Sequence, residues 1–288
     1  MRDHGFSYLV NCSLLFTELP LLQRPAAAKR AGFDAIEFWW PWPDQPVPGD
    51  SEVERFISAV TEADVRLVAL NFFAGDLAGP DCGVLSIPGR VHQFRDNVEL
   101  AVEIGSRLGV SAFNALYGNR VPDVAAEQQD QLGLESLAFA AAAAAKTGAT
   151  VMVEPISGPK PYPLRTAAQV AEVIHAVRDG GHQNIGMLFD IFHLANNGVD
   201  LAAAVTDYAP LITSVQIADC PGRHEPGTGE IEFDTHLAAL AASGYHGWVG
   251  LEYVPLAATE AGLDWLPRQL RGAHAAAGEL QTTAKKGE

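Results

Sequence analysis

Along the chain, short apolar runs, some alternating with polar residues, are each followed by a longer segment whose apolar positions recur every three to four residues. The first pattern has the period of a β-strand and the second that of an amphipathic helix. Strand patterns fall at 6–12, 34–39, 66–72, 110–116, 150–154, 186–190, 212–217 and 248–253. Helical patterns fall at 20–31, 51–63, 90–108, 124–147, 166–179, 199–208, 234–242 and 259–275. Eight alternating pairs, with no composition shift or long linker, predict parallel βαβ units that close into a (β/α)8 TIM barrel. A single domain over 1–280 is expected. Residues 281–288 have little to bury and read as a disordered tail.

Several boundaries carry their own signal. Gly32, Gly109, Gly148 and Gly244 each end a helical pattern, where glycine takes the left-handed C-cap conformation at little cost. Ser51 with Glu54 reads as a capping box opening the second helix. The alanine run at 140–145 fits a tightly packed helix rather than a low-complexity linker. The proline-rich stretch from Pro41 to Pro48 must be a loop, placed after strand 2 at the end where barrel chemistry gathers.

Composition narrows the function. The 19 basic and 35 acidic residues give a net charge of −16, which repels nucleic-acid phosphates and anionic membranes. No apolar run approaches a membrane span, and no uninterrupted signal-peptide core opens the chain. Cys12, Cys82 and Cys220 are far apart and show no CxxC spacing, which fits a reducing compartment. A soluble cytoplasmic protein without a nucleic-acid or membrane partner is expected. Homo-oligomerisation is left open, as is the role of Trp39, Trp40 and Trp42, which could line a pocket or a subunit contact.

In such a barrel a polar residue closing an apolar strand is the informative event. Val151-Met152-Val153 ends in Glu154, Gly186-Met187-Leu188-Phe189 ends in Asp190, Ser214-Val215 leads to Gln216, and Trp248-Val249-Gly250-Leu251 leads to Glu252. The intervals are 36, 26 and 36 residues, so these four close strands 5 to 8 in order and share one rim. Three converging carboxylates would repel one another unless a cation neutralises them. An all-oxygen ligand set suits a hard octahedral ion, Mg2+ or Mn2+, with positions left for substrate oxygens. Taken singly, each carboxylate could equally be a helix N-cap or a salt-bridge partner.

Around this quartet, His193 lies three residues beyond Asp190, where an imidazole could donate to a substrate oxygen or orient a ligand. The charged loop from Asp219 to Glu230 offers Arg223 and His224 as a pair for a substrate carboxylate, with Lys160 as a further candidate. Its Gly-Thr-Gly lacks the GK[ST] of a phosphate loop. Asn114 is read as substrate-facing. Asn11, Glu37 and Asn71, on the first three strands, could line the pocket or be rim hydrogen bonds.

At these residues the chain resembles the xylose-isomerase-like barrel superfamily, and within it the hydroxypyruvate isomerase branch. Val153-Glu154-Pro155, Phe189-Asp190-Ile191-Phe192-His193, Val215-Gln216-Ile217-Ala218-Asp219 with its continuation to Glu230, and Gly250-Leu251-Glu252-Tyr253 carry the resemblance. It implies that Glu154, Asp190, Gln216 and Glu252 hold the metal. Glu154 and Glu252 would also be the acid/base pair, while His193 and Arg223 contact a small hydroxy-carbonyl substrate. The implied reaction interconverts hydroxypyruvate and tartronate semialdehyde through an enediolate. Related ketose epimerases usually have histidine where Gln216 stands. Isomerases of the branch often carry an asparagine in the loop after the first glutamate, which here reads Pro155 to Pro163. A ketose 3-epimerase, a 2-oxo-tetronate isomerase and a non-catalytic sugar-binding barrel are the competing readings.

Overall fold

The computed structural model describes residues 2–272; the tail expected at 281–288 and the end of the last predicted helix lie outside the described residues. Eight parallel strands close into a barrel in sequence order: β1 (Ser7–Asn11), β2 (Ala35–Phe38), β3 (Arg66–Asn71), β4 (Ala112–Asn114), β5 (Thr150–Val153), β6 (Ile185–Asp190), β7 (Ile212–Ile217) and β8 (Trp248–Leu251). Between them run α1 (Arg24–Arg30), α2 (Asp50–Glu62), α3 (Val91–Leu108), α4 (Ala126–Ala145), α5 (Ala167–Asp179), α6 (Ile191–Asn196), α7 (Leu201–Tyr208) and α8 (Phe233–Ala242). The strand and helix patterns from 6 to 242 therefore find their elements. Gly32, Gly109, Gly148 and Gly244 all take positive φ, as a left-handed helix end requires.

Three expectations need correction. The stretch 259–275 forms only two 3-10 turns among its described residues, Ala261–Leu263 and Arg268–Leu270. Pro267 sits between them, and its missing N–H and fixed φ prevent one continuous helix. Helix α2 starts two residues earlier than the Ser51–Glu54 capping box implied. Gly49 is its N-cap, and the Glu52 carboxylate accepts from Gly49 N–H at 3.3 Å. Glu54 is left to pair with Arg107. Helix α6 was not anticipated and follows β6 without a loop.

Side chains of a strand alternate between faces, so every second residue of these strands points into the barrel. At the carboxyl end the last inward positions are Asn11, Glu37, Asn71, Asn114, Glu154, Asp190, Gln216 and Glu252, and all are buried. The layer beneath is apolar or small: Leu9 and Ala35 pack in one cluster, and Ala69, Ala112, Met152 and Leu188 in another. The polar ring thus rests on a dry plug. Register ties its members together, with Asn11 opposite Glu37, Asn71 opposite Asn114, and Asp190 opposite Gln216.

The outward-facing residues join the helices in the main core. The proline-rich loop after β2 belongs to it. Trp40 and Trp42 pack edge-on at 5.1 Å, Trp42 meets Phe56 of α2 at 5.6 Å, and Phe56 meets Phe38 at 5.3 Å. Such a fully buried aromatic contributes about 3–5 kcal/mol against truncation to alanine. This cluster anchors the loop and leaves Trp39, immediately after β2, turned to the barrel mouth.

Candidate active site

The cavity at the mouth, about 170 Å³, is lined among others by Trp39, Glu154, His193, Arg223 and Glu252. Glu154 follows the last residue of β5 and takes one hydrogen bond, from Asn114 Nδ2 to its Oε2 at 2.7 Å. Asn114 thus braces the glutamate and is not among the residues lining this cavity, while its own Oδ1 is buried without a hydrogen-bond partner. Glu252, just past β8, receives three donors: Trp39 Nε1 at 2.6 Å, Arg223 Nη2 at 2.9 Å and Asn11 Nδ2 at 3.3 Å. Asp190 caps α6, its Oδ1 accepting from His193 N–H at 2.9 Å. The helix-cap reading of this carboxylate holds, and its other oxygen, Oδ2, lies 3.9 Å from His193 Nε2.

The electrostatics follow from crowding. Burial, with Glu252 nearby, pushes Asp190 up to about 8. Burial, Glu252 and Asp190 push Glu154 well above the usual carboxylate range. Burial and Glu252 take Glu37 up to about 8. The cationic counterweight is Arg223, part-buried against this cluster. Burial works against its charge, but Glu252, Asp190 and Glu154 hold it protonated. Its guanidinium also lies 5.4 Å over the Phe192 ring.

Arg223 reaches this position through an unusual loop. The Asp219 carboxylate accepts from the N–H groups of Cys220, Gly227 and Ile231 at 2.7–3.1 Å and so folds the segment around itself. Gly229 packs so closely that a Cβ would lie 2.5 Å from the Cys220 carbonyl oxygen. Arg223 itself has φ of 60°. The charge of this loop is thus spent on holding its own shape and presenting one arginine. His224 turns elsewhere: its Nδ1 bonds the Val254 carbonyl at 2.7 Å, and it is not among the residues lining the cavity. Lys160 does line the cavity, but its Nζ donates to the carbonyls of Leu77 at 2.9 Å and Asp81 at 2.6 Å. It fastens the loop after β5 to the loop after β3 and is largely occupied in doing so.

His193 is fixed in one tautomer. Its Nδ1 accepts from Ser157 N–H at 3.0 Å and lies 2.8 Å from Ser157 Oγ, so the proton sits on Nε2. Burial, then Arg223 and Arg165, keep its pKa well below the ordinary value, and the ring is neutral. Nε2 is 3.7 Å from Glu154 Oε1 and 3.9 Å from Asp190 Oδ2, too far to bond either. It is a donor aimed into the space between them.

Glu154, Asp190 and His193 offer ligand atoms within 4.8 Å of one another, the grouping expected of a metal site. A ring whose inward nitrogen carries a proton does not ligate, so His193 is the wrong third member. The better one is Gln216. Its Nε2 donates to Glu37 Oε1 at 2.7 Å, and its Oε1 is buried without any partner. A buried oxygen left unbonded beside crowded carboxylates is costly unless a cation takes it. Glu154, Asp190, Gln216 and Glu252 therefore form a donor set of oxygens that fits a hard divalent ion.

Sequence reasoning gave no role to Ser157 and left those of Trp39, Asn11 and Glu37 open between pocket lining and other contacts. Asn11 and Glu37 were visible as polar strand-end residues; Trp39 and Ser157 carried no local signal of theirs.

This arrangement has recognisable relatives. Residues 25–269 match the family described as xylose isomerase-like TIM barrel. The hydroxypyruvate isomerase of Escherichia coli is 33% identical over 259 residues, spanning 90% of this chain and 97% of its own. A Streptomyces coelicolor protein to which the same name is attached provisionally is 48% identical over 269 residues, spanning 92% and 96%. A crystal structure from Brucella melitensis titled AP endonuclease, family 2, superposes with a TM-score of 0.80 at 29% identity, covering 90% of this chain and 97% of that one. The chain belongs to the xylose isomerase-like TIM barrel family and stands among its isomerases.

Proposed function

We propose that the chain interconverts hydroxypyruvate and tartronate semialdehyde, with Glu154 and Glu252 moving the proton between C3 and C2 in a site built for Mg2+ or Mn2+. The observation that carries this reading is the shared cavity of Glu154 and Glu252, with the Nε2–H of His193 and the guanidinium of Arg223 in its wall. At about 170 Å³ it is smaller than the roughly 300–1,000 Å³ of ordinary ligand sites, which suits a three-carbon acid. The likeness to the Escherichia coli enzyme supports the same substrate.

A cation held by Glu154, Asp190, Gln216 and Glu252 would supply Lewis-acid polarisation of the substrate carbonyl and offset the carboxylate charge. The chain's own groups do the rest. Arg223 pairs with the substrate carboxylate. Glu252, held in place by three donors, takes a proton from C3, giving an enediolate. Glu154, on the other side of the cavity, returns at C2 a proton that it draws from solvent. His193 Nε2–H steadies the oxygen charge while the hydroxyl proton passes from O3 to O2.

A longer substrate is the second reading. Beyond Trp39, Asn71 and Leu77 a further cavity of about 500 Å³ opens beneath the loops after β2 and β3, and it shares these three residues with the first. A 2-oxo-tetronate or a ketose could extend into it. Endonuclease chemistry is disfavoured by the net charge of −16 and by a ligand cluster that, among the described residues, holds a single neutral histidine with its proton on the inward nitrogen. Turnover measured on hydroxypyruvate, 2-oxo-tetronates and ketohexoses tests the proposal. The highest kcat/KM is expected on hydroxypyruvate; a hundredfold preference for a longer substrate would replace this reading with the second.

A further inference from the structure

The least expected feature of the mouth is a fully buried carboxylate that touches no cavity. Glu37 projects inward from β2, and its Oε1 receives Asn11 Nδ2 at 3.1 Å and Gln216 Nε2 at 2.7 Å. Gln216 belongs to β7, so the contact crosses the interior past β1 and β8. Two sequence features make room for it. Asn11, opposite Glu37 in register, donates to Glu37 and to Glu252, binding the carboxylate to one of the acid/base residues. Gly250, opposite Gln216 on β8, has no side chain, and a Cβ there would stand 2.9 Å from Glu37 Oε1 and 3.3 Å from Gln216 Cγ. Any other residue at 250 would occupy the path.

Glu37 Oε1 accepts from two amide N–H groups at once, so any proton on the acid rests on Oε2 and Oε1 dictates which end of the Gln216 amide faces it. The opposite flip would set two oxygens 2.7 Å apart. Nε2 is therefore held on Glu37, and Oε1 is left buried and unbonded on the other side. A neutral amide is a weaker ligand than a carboxylate and has two ends, of which only one binds a hard cation. Something must choose the end. We infer that Glu37 is a positioning residue that turns the Gln216 oxygen into the metal site, and that Gly250 is the space that allows it. The inference rests on the metal site proposed above, and it accounts for burying an acidic residue at the floor of an already acidic site.

The test is titration of Mn2+ into EDTA-stripped protein by calorimetry, which needs no substrate. E37A is expected to bind Mn2+ about 10–100-fold more weakly, the usual effect of losing a residue that orients a ligand. E37Q, whose Oε1 can still accept from both amides, is expected to stay within about threefold of the parent. In a Q216A background E37A should bring no further loss. G250A, which obstructs the contact without removing the carboxylate, should also weaken binding and serves if E37A does not fold. Parental affinity in E37A or in G250A overturns the inference, as does an equal loss from E37A with and without Gln216. A parental chain that binds no Mn2+ overturns both this inference and the metal site, whereas failure to turn over hydroxypyruvate would touch only the substrate.

Discussion

Loading the site with metal should expel protons, and the number follows from the carboxylates. Asp190 stands at about 8, so at pH 7 it is roughly nine-tenths protonated in the metal-free protein. Glu154 is pushed well above the usual range and holds its proton as well. Both must ionise to become ligands. Mn2+ binding at pH 7 should therefore release about one to two protons, and the apparent affinity should rise about tenfold or more for each unit between pH 6 and 7.5. Calorimetry in buffers of contrasting ionisation heat reads the proton count directly, and the same titrations at three pH values give the slope. A release below about 0.3 protons, with an affinity flat from pH 6 to 8, would show that these carboxyls are not the ligands or are not crowded as described.

The metal-free protein should itself respond to pH. The folded pKa of Glu37 and of Asp190 is raised above the unfolded value, so their protons favour the folded state at low pH and that stability is lost as pH rises through about 8. His193 is neutral when folded and, unfolded, carries only about a quarter of a proton at pH 7, so over this range it offsets little of the loss. Between pH 7 and 8.5 each group should cost about 1 kcal/mol, and the melting temperature of EDTA-treated protein should fall by a few degrees; a constant or rising value would contradict this. W39F keeps the ring but removes the N–H that reaches Glu252, and should lower kcat about tenfold with little change in KM; an unchanged kcat would leave Trp39 as a wall only. R223K replaces a planar fork by a point charge and should raise KM for hydroxypyruvate at least about tenfold, measured by steady-state kinetics; a parental KM would remove Arg223 from substrate binding.

Some of this was written plainly in the chain. The alternation of strand and helix periods fixes the barrel, and period two makes the last inward residue of each strand the natural place for Glu154, Asp190, Gln216 and Glu252. Contacts set by loop shape were not legible. His224 and Lys160 have the right charge for a substrate anion, but Val254 and the carbonyls of Leu77 and Asp81 claim them, and nothing local in sequence announces those partners. Trp39 could not be separated from Trp40 and Trp42, because only the Phe56 cluster decides which of the three is buried outward. Glu37 was visible as polar but not as the partner of a residue 179 positions away. Helix α6 is short, and its cap is the same aspartate that reads as a ligand.

The central claim is that two glutamates carry the proton between C3 and C2. Proton NMR of hydroxypyruvate turnover in D2O, run on the Mn2+-loaded parent and on E154Q and E252Q, addresses it directly. The parent should yield tartronate semialdehyde bearing deuterium at C2, delivered by Glu154, and each variant should be slower by about 100-fold or more. A product with protium at C2, or near-parental turnover in either variant, would contradict the account.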